Sequence, residues 1–148
     1  MIGPAQFGIV ITALGAVLML MGLFPGVTGL TPGQGIGIVQ FVALILGSWL
    51  LNLGALLYAK YTLYPRQDAN LTQQICARVA LTGLVLAAFT GLADYLGFGS
   101  HVVSLGSPEV FFGPIQAGAV LAFLLIAALG VLFYAVAGAP PGGDNYKT

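Results

Sequence analysis

The chain has 148 residues, of which 59% are hydrophobic and 5% charged, and its formal net charge is zero. A soluble domain carries about 25% charged residues, so this composition excludes an ordinary water-facing surface but suits one that faces lipid. Zero net charge gives no electrostatic ground for nucleic-acid binding, and the single cysteine, Cys76, rules out an internal disulfide or a CxxC redox pair.

The first six residues contain no Lys or Arg. They lack the basic start of a secretory signal, and no small-residue cleavage site follows. The apolar run at 7–24 therefore reads as a retained anchor and first span. Pro25-Gly26 and Thr31-Pro32-Gly33 bound a short uncharged loop at 25–34. A second apolar run covers 35–59. The longest polar segment, 61–75, contains Pro65, and a third run covers 79–98. A loop at 97–111 leads to a fourth run, 112–136, in which Pro114 occupies the first turn, where its missing N–H costs little. Residues 138–148 contain Pro140-Pro141-Gly142-Gly143 and read as a linker or an extended docking strap.

Each run reaches the roughly 18–20 residues needed to cross about 30 Å of hydrocarbon at 1.5 Å per residue. None alternates apolar with polar as a barrel strand does, so the backbone groups must be satisfied within helices. The expected fold is an all-α integral membrane protein. Four transmembrane helices form an up-down antiparallel bundle over 1–137, followed by the polar tail at 138–148.

Orientation follows from the basic residues. Lys60, Arg66 and Arg78 flank the second loop and Lys147 lies in the tail, whereas the first and third loops have neither Lys nor Arg. The positive-inside rule then places both termini in the cytoplasm, in the cell (inner) membrane of a multi-pass protein. Aromatic residues fall near both boundaries: Tyr58, Tyr61, Tyr64 and Tyr134 at one, and Phe24, Tyr95, Phe98, Phe111 and Phe112 at the other.

Small residues recur every four positions: Gly8, Thr12 and Ala16 in the first span, Gly83, Ala87 and Gly91 in the third, and Gly118 and Ala122 in the fourth. Such spacing marks faces on which helix backbones approach closely, either in a sister helix or in a partner.

Several chemistries lack their residues. A single histidine, His101, does not make a bis-histidine haem. Zinc sites need more Cys and His than the chain has, and there is neither a P-loop nor a G-x-S-x-G elbow. The chain is therefore expected not to be an enzyme and to need no cofactor or metal, although its apolar faces admit a bound lipid, quinone or pigment.

The remaining polar groups gather toward one end. Gln40, Asp94 and Gln116 sit near the outer ends of three helices, and the third loop adds His101 and Glu109. Asp94 stands near a helix C-terminus, which disfavours an anion, with no Lys or Arg of this chain on its side of the bilayer. The choices for it are hydration, protonation, a bond to Gln40 or Gln116, or a cation from another molecule. These five residues are the candidate partner or vestibule contacts. Ser48 and Asn52, deeper in the second span, are expected to bond across helices or back to their own carbonyls.

The expected function is a non-catalytic structural or accessory subunit of a larger membrane complex, such as one of respiratory or photosynthetic energy conversion. Its partners would be lipid and other membrane subunits. The alternative is a small homo-oligomeric channel or transporter with Gln40, Asp94 and Gln116 in an outward-facing vestibule.

Overall fold

The computed structural model describes residues 3–24, 26, 38–93, 96, 98 and 114–138. The described residues form four α-helices: α1 (Pro4–Leu23), α2 (Ile38–Leu63), α3 (Leu71–Leu92) and α4 (Pro114–Val136). All four are long and apolar enough to cross a membrane. None concentrates its apolar residues on one side. A helix that is apolar all round belongs in a large core or in lipid, and the described residues form no core of that size.

Local signals explain the ends. Pro4 opens α1 with its φ already helical, and Gln6 Oε1 accepts the Gly3 N–H at 3.1 Å. α2 runs four residues past the expected 35–59 boundary. Lys60 marked that boundary in the sequence, but a lysine in the last turn favours a helix end. The helix stops at Leu63, two residues before Pro65.

The expected third span, 79–98, is displaced furthest. α3 starts eight residues earlier, at a capping box: Asn70 Oδ1 accepts from Gln73 N at 2.7 Å, while Gln73 Oε1 accepts from Asn70 N at 3.1 Å. Asn70, Thr72, Gln73 and Gln74 look like loop on hydropathy alone, yet their spacing is a helix start. At the other end α3 closes at Leu92, although Leu96 N still donates to Leu92 O at 2.9 Å.

α1 packs against α2, and α3 against α4; α2 joins the pairs through α3 and α4. The α1–α2 seam is backbone on backbone. A Cβ added at Gly8 would lie 2.8 Å from Tyr58 N, and one added at Gly22 would lie 2.7 Å from Leu44 N. Contact order along α2 is therefore the reverse of that along α1. Between these points Gly15 and Gly47 face each other: a Cβ on Gly15 would meet Gly47 O at 2.7 Å, and one on Gly47 would meet Gly15 O at 2.8 Å.

The buried positions of α1 are Gly8, Gly15 and Gly22, not the four-residue series through Ala16. A seven-residue repeat drifts by only about 20° around a helix and so keeps one seam facing its neighbour. Four-residue steps turn away from it. Thr12, at the seam's edge, returns its Oγ1 proton to Gly8 O at 2.8 Å.

α3 and α4 meet in the same manner. A Cβ at Gly83 would lie 2.8 Å from Phe123 O, and one at Gly130 would lie 2.8 Å from Ala80 N. Gly83, Ala87 and Gly91 are all buried. Gly83 faces α4, and Gly91 forms the notch that receives the Phe41 ring from α2. In α4, Gly118 and Ala122 are exposed within the chain, and a Cβ on Gly118 would meet nothing within 4 Å. The buried face of α4 carries Gln116, Val120, Leu124, Ala127, Gly130 and Tyr134. Gly118 lies about 200° around the helix from Gln116, on the opposite side.

Phe41, Leu44, Leu84, Ala87, Val120, Leu124 and Ala127 form the apolar core where α2, α3 and α4 converge, with Trp49 and Phe123 packed against it.

Candidate functional site

The polar residues of the described chain fall into three layers along the bundle. The layer at the starts of α2 and α4, the outer one in the expected orientation, holds two of the five candidate contacts. Gln40, the third residue of α2, is half-buried, and its carbonyl lies 2.8 Å from where a Cβ on Gly22 would sit. Gln116, the third residue of α4, is buried. Neither glutamine is free of interactions. Asp94, His101 and Glu109 lie outside the described residues, so a vestibule built on Asp94 has no geometry here.

The middle layer is Ser48 and Asn52, both buried in α2. Each bonds to its own helix one turn back: Ser48 Oγ donates to Leu44 O at 2.7 Å, and Asn52 Nδ2 donates to Ser48 O at 2.8 Å. This is local back-bonding rather than glue between helices. Asn52 Oδ1 is buried and has no hydrogen-bond partner. A buried carbonyl oxygen without a donor costs about 1–3 kcal/mol. Asn52→Leu, which nearly conserves shape, is therefore expected to raise the thermal midpoint in detergent. A lowered midpoint would show that the amide carbonyl is held by a donor in the folded protein.

The inner layer is the most developed and was not anticipated from the sequence. The last carbonyls of an α-helix have no partner within it. At the end of α4, two side chains from the α2–α3 connection and one from the first turn of α3 supply donors. Tyr64 OH donates to Ala135 O at 2.6 Å, Asn70 Nδ2 to Ala137 O at 2.8 Å, and Gln73 Nε2 to Tyr134 O at 3.5 Å. Gln73 thus serves twice, capping α3 through its Oε1 and α4 through its Nε2. The Tyr64 ring packs directly over Gly138, leaving no room for a Cβ there. Lys60 Nζ donates to Gln67 O, closing the connection on itself.

Among the described residues no three His, Cys, Asp or Glu side chains gather as metal ligands would. Cys76 is half-buried, with its carbonyl against Gly130. The chemistry on view is hydrogen-bonded capping, close backbone contact and apolar packing. Compared with known proteins, the chain matches no family model, no curated protein and no solved structure.

Proposed function

We propose that the protein is a non-catalytic accessory subunit of a larger complex in the cell (inner) membrane. In this reading it is an up-down antiparallel bundle with both termini cytoplasmic. One observation carries the proposal. The interior is filled by the Phe41–Leu84–Val120–Leu124 cluster, while only 17–33% of each span's most apolar stretch is buried within the chain. An interior closed by apolar side chains offers no path for a polar solute. Outer faces this large are available to lipid and to other subunits.

The second reading, a homo-oligomeric channel, requires Gln40 and Gln116 to open onto a path. Directly inward of them lie Phe41 and Val120, 2% and 1% exposed. A conducting route would then have to run between copies of the chain rather than through one.

Reporter fusions test the orientation. Fusions after Arg66 and in the tail at Lys147 are expected to report cytoplasm, and one at Ser104 the opposite side. A cytoplasmic signal at Ser104 overturns the four-span arrangement. Purification from the native membrane in a mild detergent tests the role: other membrane subunits are expected to co-purify at fixed stoichiometry.

A further inference from the structure

A groove of about 270 Å³ runs along the outside of the α3–α4 pair. Val79, Thr82 and Leu86 form one wall, Phe123 and Ile126 the other, and Gly83 the floor. Near its Ile75 end, one helical turn in, stands Arg78, exposed on the surface. No hydrogen bond or ion pair holds its guanidinium among the described residues.

We propose that this groove holds one acyl chain of an anionic phospholipid, with the lipid phosphate on Arg78. The proposal rests on the bilayer reading above but not on the subunit role.

Length is the first argument. The groove extends from Ile75 to Leu86, and eleven residues of helix rise about 16 Å. Half of a hydrocarbon core is about 15 Å. The groove therefore spans one leaflet.

Direction is the second. Side chains on a helix lean toward its N-terminus, so Arg78 reaches from its position inside α3 toward the Leu71 end and headgroup level, as long basic side chains do at membrane boundaries. An acyl chain in the groove and a phosphate on the guanidinium then belong to one molecule. Arginine binds phosphate through two parallel N–H donors, and basic pockets between helices on the cytoplasmic side are where anionic headgroups are recognised.

Lining is the third. Apart from Arg78 and Thr82 the groove is lined by apolar groups, which suits a hydrocarbon chain lying along it. A second groove, lined by Leu50, Leu53, Leu57 and Tyr134 with Lys60 at its end, is larger at about 410 Å³. Its cation, however, is already held by the Gln67 carbonyl, which is why Arg78 marks the lipid site.

The test is native mass spectrometry of the full chain exchanged into nanodiscs of equal phosphatidylglycerol and phosphatidylcholine. The intact protein should retain one phosphatidylglycerol in preference to phosphatidylcholine. Arg78→Gln should cut that preference about fivefold, the worth of one basic residue at a leaflet surface. Arg66→Gln, which removes the same charge from the loop, should leave it unchanged. Thr82→Trp should fill the groove and abolish retention while circular dichroism still shows four intact helices. Equal retention of both lipids by the intact protein overturns the proposal. So does an equal effect of the two arginine variants, or full retention by Thr82→Trp.

A photocrosslinking residue at Thr82 in the native membrane should label phospholipid; labelling of a polypeptide instead would assign the groove to a partner or a second copy and also overturn the proposal. Failure of the lipid test leaves the fusion and co-purification results standing, so the two readings fail separately.

Discussion

Gly15→Leu is expected to part α1 from α2. The added side chain has no flexible neighbour to push aside. Its Cβ alone would fall on the backbone of Leu50 and Leu51 and 2.7 Å from Gly47 O. Inserting atoms into a packed core costs about 1–3 kcal/mol when side chains can give way. Here two helix backbones must separate along a seam running from Gly8 to Gly22, so the loss is expected above about 3 kcal/mol. Gly118→Leu is the matched control, because a Cβ there meets nothing within 4 Å. Its effect should stay within about 0.5 kcal/mol. Thermal unfolding of both variants in one detergent measures the difference. Equal midpoints would mean that the glycine seam does not hold the hairpin together.

The second large effect is expected at Tyr64. Its ring is buried over Gly138, and its hydroxyl supplies the Ala135 carbonyl at 2.6 Å. Tyr64→Ala removes both contributions, and truncating a buried aromatic costs about 3–5 kcal/mol. Tyr64→Phe keeps the ring and removes only the donor, which is worth about 1 kcal/mol where water can reach the freed carbonyl. Hydrogen exchange over residues 133–138 separates the two. The phenylalanine variant should speed exchange locally, whereas the alanine variant should release the end of α4 from the α2–α3 connection. Identical exchange in both would assign the whole effect to the hydroxyl.

The number of helices and their approximate centres were legible because lipid imposes one requirement on a spanning segment, a long run of apolar residues. The same criterion blurred the inner boundaries. Lys60 stands at the edge of the second apolar run and Gln73 within the polar segment 61–75, yet both lie in helices that extend beyond the unbroken apolar runs. The Asn70-x-x-Gln73 signature was present in the sequence and would have started α3 correctly. The heptad glycines Gly8, Gly15 and Gly22, and Gly47 and Gly54, are equally present in the sequence, but α1 also carries the competing four-residue series Gly8, Thr12 and Ala16.

The α4 face was not legible. Gly118 and Gly130 look alike in sequence, and only the position of α3 decides that one is buried and the other exposed. Nor was the inner latch, because Tyr64 and Ala135 are separated by 71 residues, and a side chain that caps another helix leaves no local pattern. At the outer layer, the burial of Gln116 depends on where α2 and α3 stand beside α4, which its own sequence neighbours do not record.

In the proposed role the bundle is a packing unit within a larger assembly rather than a conducting particle of its own. Native mass spectrometry of the particle released from its own membrane in a mild detergent separates the two. The chain weighs 15.2 kDa. The expected result is a delipidated mass that is not an integer multiple of 15.2 kDa, with other membrane polypeptides appearing at fixed stoichiometry when the particle is dissociated. A mass that is an integer multiple, with this chain as the sole polypeptide, would contradict it.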